Sequence, residues 1–170
     1  MDKQNNEKLV EAFDHMSKVV IEALHKTEEA LAPTAEKMLE NAEHIVRDLY
    51  ALSKDEARVV REALSRDLAK AHKTINEEGK ELRDWLNFDM NQIEDRFLEL
   101  VCKASDRTWL EFREFESANI HASIYKTGEI CSAGTLSCNA CGQTMQLKKS
   151  SHIPPCPKCH KTEFTRVIKH

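Results

Sequence analysis

From Leu9 the apolar positions run Leu9, Phe13, Met16, Val20 and Leu24, then Leu31, in steps of three, four and seven. Those steps keep one face of a helix apolar. Ala32-Pro33-Thr34 predicts a kink or break, because Pro33 has no N–H to donate and crowds the preceding turn. The pattern resumes through Met38, Leu39, Ile45, Val46, Leu49 and Leu52. Ser53-Lys-Asp-Glu56 then reads as a capping box, with Ser53 accepting from the amide three residues on and Glu56 reaching back. Val60, Leu64, Leu68, Ala71, Ile75, Leu82, Leu86, Met90, Ile93, Phe97 and Leu100 follow close to a heptad seam, with Gly79 a candidate kink. Glu43→Arg47, Glu62→Arg66 and Glu99→Lys103 are oriented for helical ion pairs, each adding a few tenths of a kcal/mol. A last helix from Ser105 or Asp106 carries Trp109, Phe112 and Phe115, a stripe expected to pack the end of the body or to dock a partner.

The period changes after residue 120. Tyr125-Lys-Thr-Gly128 through Gly134 suggests a hairpin or loop. Thr144-Met-Gln-Leu-Lys alternates as a half-buried strand does, with Met145 and Leu147 on one face, and Thr162 to Ile168 repeats this less cleanly around Phe164. Between and around these strands stand two knuckles, Cys138-Asn-Ala-Cys141-Gly142 and Cys156-Pro-Lys-Cys159, separated by fourteen residues. Two Cys-x-x-Cys turns so spaced can place four thiolates at the corners of one tetrahedron, the arrangement of a closed structural Zn²⁺ site. Gly142 supplies the positive φ such a turn needs after its second cysteine, and Pro157 stiffens the second knuckle. Iron in a rubredoxin-like site is the alternative; disulfides fit two-residue loops poorly. The ribbon is too small to fold on apolar burial alone, so the metal must supply most of its folding free energy.

The expected architecture is therefore an all-α, elongated, antiparallel helical hairpin or bundle, coiled-coil-like and self-associating, carrying a small C-terminal β zinc ribbon. The expected division is a helical domain over 1–119, a linker or hairpin over 120–134 and the ribbon over 135–170. Body and ribbon then have separate sources of stability, and Cys156→Ser should unfold the ribbon while leaving the helices intact.

Composition sharpens this reading. Of the residues 32% are charged and 6% aromatic, with four Gly and four Pro, a profile of long helices with little loop. Residues 1–119 carry 18 basic and 27 acidic side chains and residues 120–170 seven and two, so the net charge of −4 divides into −9 and +5. A basic tail can meet RNA, DNA or an acidic protein, and Lys148, Lys149, Lys158 and Arg166 are the candidate contacts. No Arg-rich run or interleaved aromatics accompany them. Met1-Asp-Lys-Gln-Asn-Asn-Glu lacks a hydrophobic signal region, and no run is long enough to span a bilayer. Cys102 and Cys131 read as a packing residue and a passive thiol, in keeping with a reducing, cytoplasmic compartment.

A helical bundle before a double knuckle raises the possibility of a di-iron enzyme, but such a bundle wants two Glu-x-x-His motifs, and Glu22-Ala-Leu-His25 stands alone. No Gly-rich phosphate loop or nucleophile signature is present. A four-thiolate site is closed to water, which argues against zinc catalysis, and His152 and His160 are not needed as ligands. The expectation is a non-enzymatic module that binds a protein partner or its own copies and has no small-molecule substrate or membrane contact. Nucleic-acid binding and zinc or thiol sensing are the alternatives.

Leu52-Ser-Lys-Asp-Glu-Ala-Arg-Val-Val-Arg-Glu-Ala-Leu-Ser-Arg-Asp-Leu, Thr108-Trp-Leu-Glu-Phe-Arg-Glu-Phe, Tyr125-Lys-Thr-Gly-Glu, Gly134-Thr-Leu-Ser-Cys138 and Pro155-Cys-Pro-Lys-Cys159 together resemble the YbeL-like bacterial family, along nearly the full chain. That family pairs an N-terminal helical region with a C-terminal zinc ribbon and has no assigned activity. The resemblance implies a bacterial cytosolic protein with metal ligands at Cys138, Cys141, Cys156 and Cys159. It departs at His160, where the family has glycine; histidine tolerates the left-handed conformation better than most side chains.

Overall fold

The computed structural model describes residues 3–25, 35–78 and 124–167. Three helices come first: α1 (Lys3–His25), α2 (Ala35–Leu49) and α3 (Lys54–Glu78). Each packs against the other two. Leu9, Phe13, Met16 and Val20 line the inner face of α1, as their spacing predicts. They meet Met38, Leu39, Ala42 and Val46 of α2, and Ala57, Val60, Leu64 and Leu68 of α3. Burying each large side chain of such a core contributes roughly 1.5–3 kcal/mol. Ile45 and Leu49, expected within the α2 stripe, lie on its flank and are 39% and 60% exposed.

The turn between α2 and α3 is tightly specified. Leu52 N–H donates to Arg47 O at 2.9 Å, closing a Schellman-type cap around Ala51, whose φ is +48°. The predicted capping box then starts α3: Glu56 N–H donates to Ser53 Oγ at 3.2 Å and Ser53 N–H to Glu56 Oε2 at 2.8 Å. Those hydrogen bonds to Ser53 hold the Glu56 carboxyl below its ordinary value. Two of the expected helical ion pairs are rearranged, and the third, Glu99→Lys103, lies outside the described residues. Glu43 reaches across to Arg61 of α3 at 3.1 Å and Arg47 turns to Asp48, because pairing across two helices ties them together. Arg66 leaves Glu62 and points into the protein.

Six strands follow: β1 (Tyr125–Lys126), β2 (Ile130–Cys131), β3 (Gly134–Cys138), β4 (Thr144–Leu147), β5 (Ser151–His152) and β6 (Glu163–Val167). Four form an antiparallel sheet in the order β1-β6-β3-β4, and β2 pairs with β5 separately. Leu136 of β3 faces Met145 of β4 and Arg166 of β6, and Cys138 faces Phe164. Alternation along β3 and β6 buries Leu136, Cys138 and Phe164 with Tyr125 and Ile153, and Met145 and Leu147 pack half-buried against them. The stretch expected as linker or hairpin supplies β1 and β2, and Gly134 opens β3.

This corrects the all-α expectation. The architecture is mixed, three helices followed by an antiparallel β region, and the described residues form no elongated coiled coil. The physical reason is that the ribbon lies against the helices instead of trailing from them. Ile130 of β2 is fully buried in the helical core, and Arg66 and Asp67 of α3 hydrogen-bond to ribbon atoms. The Pro33 and Gly79 breaks, the seam from Leu82 to Leu100, the aromatic stripe at Trp109, Phe112 and Phe115, and Cys102 lie outside the described residues.

Candidate metal centre

The two knuckles are built alike. Gly142 N–H donates to Cys138 O and His160 N–H to Cys156 O, both at 2.9 Å. Gly142 has φ +69° and His160 φ +59°, so the left-handed residue needed after each second cysteine is present in both turns. Cys138 N–H donates to Gln143 O and Cys156 N–H to Lys161 O, which returns each knuckle to its strand. The sheet then brings the knuckles together, because β3 ends in Cys138 beside Phe164 of β6, four residues after His160.

The Sγ atoms of Cys138, Cys141, Cys156 and Cys159 all lie within 4.8 Å of one another. Cys138 to Cys159 is 3.5 Å and Cys141 to Cys156 3.7 Å. A tetrahedron with Zn–S bonds of about 2.3 Å has edges of about 3.8 Å, so the donor set fits one zinc ion. The same separations are far beyond a disulfide bond of about 2.05 Å. Backbone N–H groups of Cys159 and Lys158 favour the Cys156 thiolate and bring that thiol down to about 6. Cys159 receives similar help from Lys161 N–H, but lost solvation and the three neighbouring sulfurs outweigh it and push the thiol up to about 12. A dication among the four sulfurs would deprotonate them all.

A second cluster joins the ribbon to α3. Asp67 is 4% exposed; its Oδ1 accepts from Tyr125 Oη at 2.9 Å and its Oδ2 from Ser132 N–H at 2.6 Å. Arg166 Nη2 lies 3.5 Å from Oδ2 and also donates to Ser132 O at 3.0 Å, while Nη1 donates to Ala133 O at 2.8 Å. Arg66 donates to Glu129 at 2.5 Å and to Ile130 O at 2.7 Å, with its guanidinium carbon 4.2 Å from the Tyr125 ring centre. Burial opposes both guanidinium charges, but Asp67 and Tyr125 more than compensate and raise both values. Burial, then Asp67, raises the Tyr125 phenol, and the same two causes push the Cys131 thiol up to about 12, a protonated and inert thiol. His152 adds a contact to α1, with Nε2 3.2 Å from Asn6 O and Nδ1 2.8 Å from Gly128 O.

The structure therefore separates the residues singled out as anion contacts. Lys148, Lys149 and Lys158 are exposed, whereas Arg166 is buried in the ribbon–helix junction. Asp67 was missed by sequence reasoning, yet it left a signal. It sits seven residues after Val60 and three after Leu64, inside the apolar stripe of α3, where a charged side chain survives only if paired.

Residues 22–168 match the family described as zinc-ribbon containing domain. The chain is similar to the uncharacterized protein YbeL of Escherichia coli K12 and to its counterparts in strains O6:H1 and O157:H7. Each is 28% identical over 130 residues, which is 76% of this chain and 79% of the relative. No solved structure matches. No described helix is long and apolar enough to cross a membrane.

Proposed function

The chain belongs to the zinc-ribbon containing domain family, and from that premise we propose that it is a non-enzymatic binding or assembly module for protein partners. Cys138, Cys141, Cys156 and Cys159 hold one structural Zn²⁺. The observation that carries this reading is the cluster of four sulfurs within 4.8 Å. Four protein thiolates fill the tetrahedron and leave no position for substrate or water, so the metal shapes the ribbon instead of reacting. Free thiolates of this kind suit a reducing compartment, the cytoplasm. Among the described side chains of α2 and α3, Ile45, Leu49 and Val59 are large, apolar and exposed, available to a partner or a second copy.

Exposed Lys148, Lys149 and Lys158 favour a second reading, contact with nucleic acid. Two observations weigh against it. Arg166 is turned inward, and Tyr125 and Phe164, the only Phe, Tyr or Trp side chains among residues 124–167, are both fully buried. Stacking on bases, worth about 1–3 kcal/mol each, then has no Phe, Tyr or Trp platform in the described ribbon.

The test is retention of the zinc-loaded protein's partners from lysate, with and without nuclease, at about 50 and 200 mM salt, where six to ten phosphate contacts would lose roughly 10³-fold or more in affinity. Metal analysis on the same sample should give one zinc per chain. A discrete protein partner surviving nuclease and salt, and surviving charge reversal of Lys148, Lys149 and Lys158, is the expected result. Partners lost to both treatments would overturn it in favour of nucleic acid.

A further inference from the structure

We infer that the ribbon is a metal-dependent latch on α3, so that zinc occupancy decides whether the face around Asp67 is covered. The inference rests on the four cysteines being the zinc site.

Asp67 lies in the apolar stripe of α3, and its two hydrogen-bond donors, Tyr125 Oη and Ser132 N–H, both come from the ribbon. Arg166, its cationic partner across the junction, stands on β6. Arg66, the other cation beside it, finds its own acceptors at Glu129 and Ile130 O. Within α3, Asp67 and Arg66 have only each other, Arg66 Nε 3.8 Å from Asp67 Oδ1 with no hydrogen bond, and every side-chain hydrogen bond described for either goes to the ribbon. β6 is held in register by β3, Cys138 to Phe164 and Leu136 to Arg166, and β3 runs directly into the first knuckle. β1 is held by β6, Tyr125 to Phe164. The groups that neutralise and solvate Asp67 are therefore positioned by strands that the metal ties together. A ribbon without its metal has a core of few side chains, of which Cys138 and Cys156 are themselves ligands. When those strands part, a buried carboxylate loses both hydrogen-bond donors and Arg166 together, keeping only Arg66 beside it, and the stable outcome is hydration of Asp67. Ile130 then leaves its seat in the helical core. Release thus presents an acidic group beside an apolar site, both covered in the zinc-bound form. This replaces the expectation of independent parts: metal loss is felt by the helical body.

The experiment is carboxyl labelling of the full chain with a carbodiimide, which activates each accessible carboxyl group, and an amine that displaces the resulting urea to form an amide, read residue by residue by mass spectrometry, with zinc bound and after chelation. Asp48, with 78% of its side chain exposed, is the internal reference. With zinc, Asp67 should label at least tenfold less than Asp48; after chelation the two should label alike while most of the helical circular dichroism remains. Asp67 still protected after verified zinc removal overturns the latch but leaves the zinc reading intact. Failure of the protein to hold zinc at all overturns the zinc reading. Loss of the helical signal along with Asp67 protection also overturns the latch, because that is global unfolding. Arg166→Met should raise Asp67 labelling at least tenfold with one zinc still bound; unchanged protection would remove Arg166 from the latch. If that variant does not fold, Tyr125→Phe serves the same comparison.

Discussion

The phenol of Tyr125 on β1 donates to Asp67 Oδ1 on α3 at 2.9 Å, across 58 residues of sequence and with both side chains buried. A hydrogen bond to a charged group contributes about 1.5–3 kcal/mol, so Tyr125→Phe should destabilise the zinc-loaded protein by that amount. Asp67→Ala should cost more, about 3–5 kcal/mol, because it leaves Arg166 buried without its counter-charge. Urea unfolding of the two variants and wild type measures both, and equal losses would mean that the carboxylate matters only through the phenol.

Gly134 should tolerate no side chain. Its φ is +151°, and a Cβ built there stands 2.5 Å from Arg166 Nη1. Arg166 cannot swing aside without giving up Ser132 O, Ala133 O and Asp67. Gly134→Ala is expected to cost about 1–3 kcal/mol in strain, with zinc stoichiometry unchanged since the knuckles are elsewhere. Gly128→Ala is the control: its φ of +89° is also strained, but no atom lies within 4 Å of the added carbon. Thermal unfolding in excess zinc should rank Gly134→Ala below Gly128→Ala.

Local features are legible in the order of residues alone. The stripe of Leu9, Phe13, Met16 and Val20, the Ser53–Glu56 box and the four cysteines are written in spacings of fewer than about twenty residues, and the fold realises each of them. The ribbon–helix junction is different. Arg66 has a plausible helical partner in Glu62, and Arg166 reads as one more basic residue of a basic tail. Their roles depend on Tyr125, which only the tertiary fold brings near both, and on Asp67, which it brings near Arg166. Packing a β ribbon against α3 is what moves the architecture away from an elongated bundle, and no local period encodes it.

Acid should weaken the start of α3. The Glu56 carboxyl is held below its ordinary value of 4.5 by accepting from Ser53, so the folded state favours the ionised form. That contribution is fully present above the unfolded value near 4.5 and is lost as pH falls through the lower folded value. Glu56→Gln removes the titration, so the stability gap between wild type and variant should be largest above about pH 5 and shrink below it. Urea midpoints of both proteins from about pH 6 to about pH 3 measure the gap, and a constant gap would show that the carboxylate charge plays no part in the cap.

Among the described residues two that are not glycine hold left-handed backbone, and glycine at either should help. Ala51, φ +48°, closes the cap of α2, and His160, φ +59°, does for the second knuckle what Gly142 does for the first. A side chain in this region costs about 1–2 kcal/mol, offset in part by the extra freedom glycine brings to the unfolded chain. Ala51→Gly should therefore stabilise the protein by about 0.5–1 kcal/mol, with or without zinc. His160→Gly should stabilise by a similar amount only when zinc is bound, because the His160 N–H to Cys156 O turn matters only in a formed knuckle. His160→Val, branched at Cβ, should move the other way by about 1–2 kcal/mol and weaken zinc retention against a chelator. Should His160→Gly instead lower zinc affinity, the imidazole would be contributing something at the site that its backbone conformation does not explain.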